Sequence, residues 1–68
     1  MTSPSDGELL GAAEIRAILG LTRQRVYQIT SRPDFPKPRA ELAMGNVWDG
    51  LPVREYLRAH GYQLLDER

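Results

Sequence analysis

The stretch that decides the fold runs from Ala12 to Ile29 and is AAEIRAILGLTRQRVYQI. Its first apolar residues are spaced i, i+3 and i+4, which predicts a helix from about Ala12 to Leu19 with one buried face. Gly20 stands where a left-handed C-cap is favoured, and Thr22 is a good N-cap for a second helix from about Arg23 to Ser31. Two short helices joined by a tight, glycine-containing turn are typical of the helix-turn-helix, whose second helix enters the major groove of DNA.

The second helix separates an apolar face from a polar one. At about 100° per residue, Val26 and Ile29 point together towards the first helix. The rest of its surface carries side chains suited to nucleic acid: Arg23, Gln24, Arg25, Tyr27 and Gln28. Glutamine amides pair bidentately with adenine, and arginine suits guanine or a phosphate. We therefore expect a base contact from Gln24 or Gln28 and DNA contacts from both arginines.

The chain beyond the second helix predicts a hairpin and a third helix. Arg32 precedes a proline and so ends the second helix, after which residues 33–38 form a stiff, extended connection. Two short possible strands, about 39–42 and 46–48, flank a glycine-containing turn. Asp49 is expected to cap a helix from about Leu51 to His60, with its proline tolerated in the first turn. The expected core comprises Ile15, Ile18, Leu19, Val26, Ile29, Phe35, Trp48, Tyr56 and Leu57.

The predicted organisation is therefore one mainly α domain with a small β-hairpin, a winged helix-turn-helix spanning residues 9–61. Residues 1–8 are polar and are expected to form a flexible N-terminal tail, and residues 62–68 a C-terminal tail. With 68 residues and no cysteine, the chain must fold by hydrophobic packing, without disulfides or a thiolate zinc site.

The formal net charge of zero conceals a strong asymmetry along the chain. Six basic residues and one acidic residue lie between Arg16 and Arg39, a net charge of +5, and the remainder of the chain carries −5. A basic patch is the electrostatic footprint of a nucleic-acid-binding surface, whatever the total charge. The alternative is that these arginines are simply solvated surface residues.

Several other functional classes find no support in the sequence. One histidine and no cysteine assemble no metal site, and we see no nucleophile–base pair and no glycine-rich phosphate loop. We therefore expect no enzyme activity, cofactor or small-molecule substrate. No apolar run approaches the roughly 20 residues of a membrane span, and the N-terminal residues lack the pattern of a signal peptide. The expected location is the cytoplasm.

Three segments taken together resemble a known family. Residues 12–29, followed by the connector RPDFPKP and then by VWD at residues 47–49, resemble the excisionase and AlpA-like branch of the MerR-type winged-helix proteins. The resemblance covers about residues 9–57. It implies that the second helix is a recognition helix and that the 39–48 hairpin is a wing. It also implies a short protein of a phage or mobile element, acting at the nucleoid of a bacterial host cell.

This chain departs from the family at the wing tip, where AMGN at residues 43–46 replaces the common basic residue. Lys37 and Arg39 at the base of the hairpin, together with Arg32, are therefore expected to contact phosphates. Arg16 is taken as a solvated residue of the first helix.

Three aromatic or ionisable residues have two interpretations each. Tyr27 either packs on the edge of the core or contacts DNA. Trp48 is favoured as a core residue over a base-stacking platform, and His60 as a complement to the dipole of the third helix over a ligand.

Three functions compete. The first is an excisionase that binds and bends double-stranded attachment-site DNA to direct an integrase, and the second is a small transcriptional regulator with the same DNA-binding surface. The third is a protein-interaction adaptor without DNA binding, against which the clustered positive charge argues. We also expect several copies to bind side by side on a longer DNA site, with acidic regions near Glu8, Glu14 and Glu55 meeting a neighbour's basic face.

Overall fold

The computed structural model describes residues 8–67; residues 1–7, which make up most of the predicted N-terminal tail, and Arg68 lie outside the described range. Three helices and a three-stranded antiparallel sheet make up the described chain. The elements in chain order are β1 (Leu9–Gly11), α1 (Ala12–Leu19), α2 (Arg23–Thr30), β2 (Ala40–Leu42), β3 (Gly45–Asp49) and α3 (Gly50–Ala59).

The two caps that the sequence predicts between α1 and α2, Gly20 and Thr22, are present, and Glu14 adds a capping contact that was not predicted. The Glu14 carboxylate accepts a hydrogen bond from the Gly11 amide, 2.9 Å away, at the start of α1. Gly20 ends α1 with φ of 69°, a left-handed conformation that L side chains rarely adopt, and donates its N–H to the Arg16 carbonyl. The Thr22 hydroxyl then accepts from the Arg25 amide at 3.2 Å. The predicted bounds of both helices are confirmed to within one residue.

The sheet is larger than the predicted two-stranded hairpin. Strands β2 and β3 pair as expected, with Leu42 opposite Gly45, but β1 pairs antiparallel with the other side of β3, giving the order β1-β3-β2. The prediction treated Leu9 and Leu10 only as a lead into α1. A three-residue strand has no period to detect, and its partner Trp48 is distant in sequence, so only tertiary pairing reveals it.

Helix α3 begins one residue before its predicted start, and its cap differs from the prediction. Asp49 occupies the N-cap position in an extended conformation, but its side chain makes no capping hydrogen bond. Its carboxylate instead accepts from the Arg39 guanidinium at 2.8 Å. Pro52 lies in the first turn, where no helical amide partner is lost.

The core consists of apolar residues from all three helices, from β1 and β3, from the connector after α2 and from the segment after α3. Eight of the nine predicted core residues are buried, and the ninth, Tyr56, is half-buried against them. Phe35 anchors the connector by edge-to-face contacts, with ring centroids 5.8 Å from Trp48 and 5.0 Å from Tyr56. The prediction missed three buried residues: Leu10, Val53 and Leu64.

The packed unit continues past residue 61, where the predicted C-terminal tail begins. Leu64 is buried, and the Leu65 amide donates to the Ile18 carbonyl at 2.8 Å. Arg54 ties this segment down, because its buried guanidinium bonds to Asp66 and Glu67. The same guanidinium binds the Glu8 carboxylate, so a residue assigned to the N-terminal tail is also held to the domain. Neither arrangement has a local sequence signal.

Candidate nucleic-acid interface

The candidate interface is centred on α2, whose two apolar residues anchor it to the domain. Val26 and Ile29 are 1% and 2% exposed and pack under the helix. The opposite surface is therefore turned to solvent. All eight residues proposed from the sequence are exposed: Arg23, Gln24, Arg25, Tyr27, Gln28, Arg32, Lys37 and Arg39.

The polar face of α2 is unobstructed in the described part of the chain. Tyr27 is 71% exposed and does not belong to the core, which removes the interpretation that its ring packs at the core edge. Arg25 extends along the helix to Gln28, with 3.5 Å between Nη1 and Oε1. Among the described residues, neither Arg23 nor Arg25 forms an ion pair with a carboxylate. The helix thus presents two positive charges without a carboxylate partner, next to the side-chain amides of Gln24 and Gln28.

The arginine that follows α2 is partly neutralised by its own connector. Arg32 Nε lies 3.3 Å from Asp34 Oδ1. The Tyr56 hydroxyl donates to the same carboxylate at 2.9 Å, and this hydrogen bond holds the pKa of Asp34 below its usual value, with a further contribution from Arg32. His60 stacks on the Tyr56 ring with centroids 4.0 Å apart, and its Nε2 lies 3.4 Å from Asp34. The Asp34 carboxylate would therefore compete with a DNA phosphate for the Arg32 guanidinium.

The two basic residues at the base of the β2–β3 hairpin differ in whether a carboxylate neutralises their charge. Arg39 pairs with Asp49 at 2.8 Å, with both side chains well exposed. Lys37 is exposed between two prolines and has no carboxylate partner among the described residues. Of Arg32, Lys37 and Arg39, Lys37 is thus the one without a carboxylate partner among the described residues.

Trp48 belongs to the core. It is 5% exposed, and its indole N–H donates to the Pro36 carbonyl at 3.1 Å. The hydrogen bond holds the connector against β3, and the burial of the indole argues against a base-stacking role. The core interpretation of Trp48 is confirmed, and the stacking platform is not supported.

A groove of about 320 Å³ adjoins α2 on the side facing the start of β3. Arg23 and Tyr27, one helical turn apart, line it from α2, whereas Lys37 and Arg39 do not line it. Four further polar residues line the groove and are not among the eight proposed from the sequence: Arg16, Thr30, Ser31 and Asn46. No local signal marks them, because the groove exists only where α1, α2 and the β2–β3 hairpin meet.

Comparison with known proteins adds no further constraint: no protein family, curated protein or solved structure matches this chain. Among residues 8–67, no group of three or more histidine and acidic residues could hold a metal ion. Within the same range, no helix is both long and apolar enough to cross a bilayer.

Proposed function

We propose that this chain is a sequence-specific double-stranded DNA-binding protein with a winged helix-turn-helix. In this proposal α1 and α2 form the helix-turn-helix, α2 lies in the major groove, and β2–β3 is the wing. Gln24 and Gln28 read base edges, and the surrounding basic residues contact phosphates. The proposal extends to Arg23, Arg25, Tyr27, Arg32, Lys37 and Arg39 as DNA-contacting residues.

The observation that carries the proposal is the solvent-facing surface of α2. It combines amide side chains, which discriminate base edges, with arginines that have no internal carboxylate partner. Val26 and Ile29 are the two buried residues of α2, and its other residues are exposed apart from the half-buried Thr30. Arginine and tyrosine are also enriched at protein–protein interfaces, so the preference for DNA over an adaptor function rests on the glutamine amides and on the clustered positive charge.

The biological role that we propose is that of an excisionase, which binds and bends attachment-site DNA and directs an integrase. This part rests on the family resemblance of residues 12–29, 32–38 and 47–49. A transcriptional regulator would use the same surface, and mapping the bound site to an attachment sequence or a promoter separates the two.

Two of the acidic residues expected to meet a neighbouring copy are engaged within the chain: Glu8 binds Arg54 and Glu14 caps α1. Glu55 remains exposed.

The test compares a base-reading residue with a phosphate-binding one. Gln28→Ala should weaken binding to the specific duplex by roughly 1–3 kcal/mol and leave binding to random duplex nearly unchanged. Lys37→Ala should weaken both duplexes about equally and lower the salt slope by about one. Lys37 is a cleaner choice than Arg32, because Arg32 already pairs with Asp34.

Titration of each variant against both duplexes at several salt concentrations measures these effects. The assignment of the reading face is wrong if Gln28→Ala binds both duplexes like the parent while Lys37→Ala loses only the specific site. If the parent binds neither duplex, the DNA-binding proposal itself fails and the adaptor function becomes the better account.

A further inference from the structure

Arg16 differs from most arginines of the described chain in having no partner there. Arg32, Arg39, Arg54 and Arg58 each pair with a carboxylate. Arg16 forms no ion pair with residues 8–67, and its Nε is buried without any hydrogen-bond partner. A buried N–H of a cation left unsatisfied is unfavourable for the folded state, so its retention favours a partner outside the described residues.

The surroundings of Arg16 specify the charge of that partner. Arg16 lines the groove beside α2 together with Arg23, and none of the groove residues is acidic. Three neutral side chains there also carry hydrogen-bond donors that are not used within the described chain: Tyr27, Ser31 and Asn46. The donors of Thr30 and Trp48 are already bonded to backbone carbonyls. Two guanidinium groups and neutral donors around one concave surface favour an anion with several acceptor oxygens.

We infer that the groove binds a phosphodiester of the DNA backbone and that Arg16 is one of its principal ligands. The inference rests on the proposed function and deepens it, because Arg23 and Tyr27 belong both to the groove and to the DNA-facing surface of α2. With α2 in the major groove, the backbone beside it enters the space between α2 and the start of β3. The guanidinium of Arg16 donates to a phosphate oxygen there. Arg16 thus sets the position of α2 on the duplex without reading a base.

A purely structural role and a phosphate-binding role for Arg16 predict different effects of its removal on the stability of the fold. If its half-buried side chain serves the fold, removing the guanidinium lowers the melting midpoint. If the guanidinium is held for phosphate, Arg16→Met keeps most of the aliphatic stem and removes the unsatisfied Nε. The melting midpoint of that variant then stays the same or rises, while DNA binding weakens.

The experiment measures thermal unfolding and duplex binding of Arg16→Met, with Arg58→Met as the matched control. We expect Arg16→Met to bind specific and random duplexes about tenfold more weakly at low salt, with a salt slope lower by about one. Arg58 pairs with Glu67 and does not line the groove, so its variant should bind DNA like the parent. A melting midpoint lowered in Arg16→Met relative to the parent would assign a structural role and overturn the inference.

Neutral methylphosphonate linkages, introduced one at a time into the specific duplex, locate the contact. One linkage should weaken the parent about as much as Arg16→Met does and should weaken Arg16→Met no further. If the parent binds the duplex but Arg16→Met binds equally well at every salt concentration, the inference is wrong and the proposed function stands. If the parent binds no duplex at all, both are overturned.

Discussion

Replacing Arg54 with methionine removes the residue that joins both ends of the described chain to α3. Arg54 is 3% exposed, and its guanidinium donates five hydrogen bonds to three carboxylates. Glu8 receives two of them, Asp66 two and Glu67 one. Methionine replaces part of the aliphatic portion of the Arg54 side chain but has no hydrogen-bond donor. Three negatively charged carboxylates are then left close together without the Arg54 charge.

The size of the effect follows from the exposure of the three carboxylates. Removing one partner of a fully buried ion pair costs about 3–5 kcal/mol. Here the Glu8, Asp66 and Glu67 side chains retain 19%, 47% and 29% exposure, so water can replace part of what Arg54 supplied. We therefore expect Arg54→Met to lower the free energy of unfolding by about 3 kcal/mol, the lower end of that range.

Urea denaturation followed by the fluorescence of Trp48, the only tryptophan, measures the change. Arg58→Met is the matched control. The Arg58 side chain is 50% exposed and binds one carboxylate, so this substitution should lower the free energy of unfolding by no more than about 1 kcal/mol. The reasoning is refuted if Arg54→Met and Arg58→Met are equally stable. A loss below about 1 kcal/mol for Arg54→Met would refute it as well.

Two further predictions concern stability. Val26→Ala opens a cavity between α1 and α2 and should lower the free energy of unfolding by about 1–3 kcal/mol, so an unchanged melting midpoint would contradict the burial of this residue. Hydrogen bonds from Arg54 lower the pKa of Asp66 in the folded chain, and those from Arg58 and then Arg54 lower that of Glu67. The unfolded chain therefore takes up protons first, and this stabilisation, complete above about pH 5, is lost as the pH falls through the folded pKa values. Arg54→Met should show a weaker dependence of its melting midpoint on acid pH than the parent.

The helices and the hairpin can be predicted from the sequence because the residues that determine each of them lie within that element or next to it. Gly20 and Thr22 mark the turn between α1 and α2, and the i, i+3, i+4 spacing sets which face of each helix is buried. The exposed surface of α2 follows directly from that phase. For this reason the sequence predicts that the five proposed interface residues of α2 lie in solvent, whereas Arg32, Lys37 and Arg39 lie after the helix and are exposed independently of its phase.

The features that the sequence does not predict depend on contacts between distant segments. Strand β1 is recognisable only by its pairing with β3, and Arg54 looks like an ordinary exposed helix residue until Glu8 and the C-terminal residues surround it. The groove beside Arg16 likewise needs α1, α2 and the β2–β3 hairpin to be assembled first. Periodicity and capping rules are local and contain no information on such contacts.

Selection of bound duplexes from a random pool, with the parent chain and with Gln28→Ala, tests whether α2 binds duplex DNA in a sequence-specific way. The parent should enrich a common short motif, and Gln28→Ala should change or lose the preference at one position of it. The logarithm of the affinity for that motif should fall linearly with the logarithm of the salt concentration. If the parent chain retains no duplex, or retains all sequences equally, α2 is not a sequence-specific DNA-binding helix.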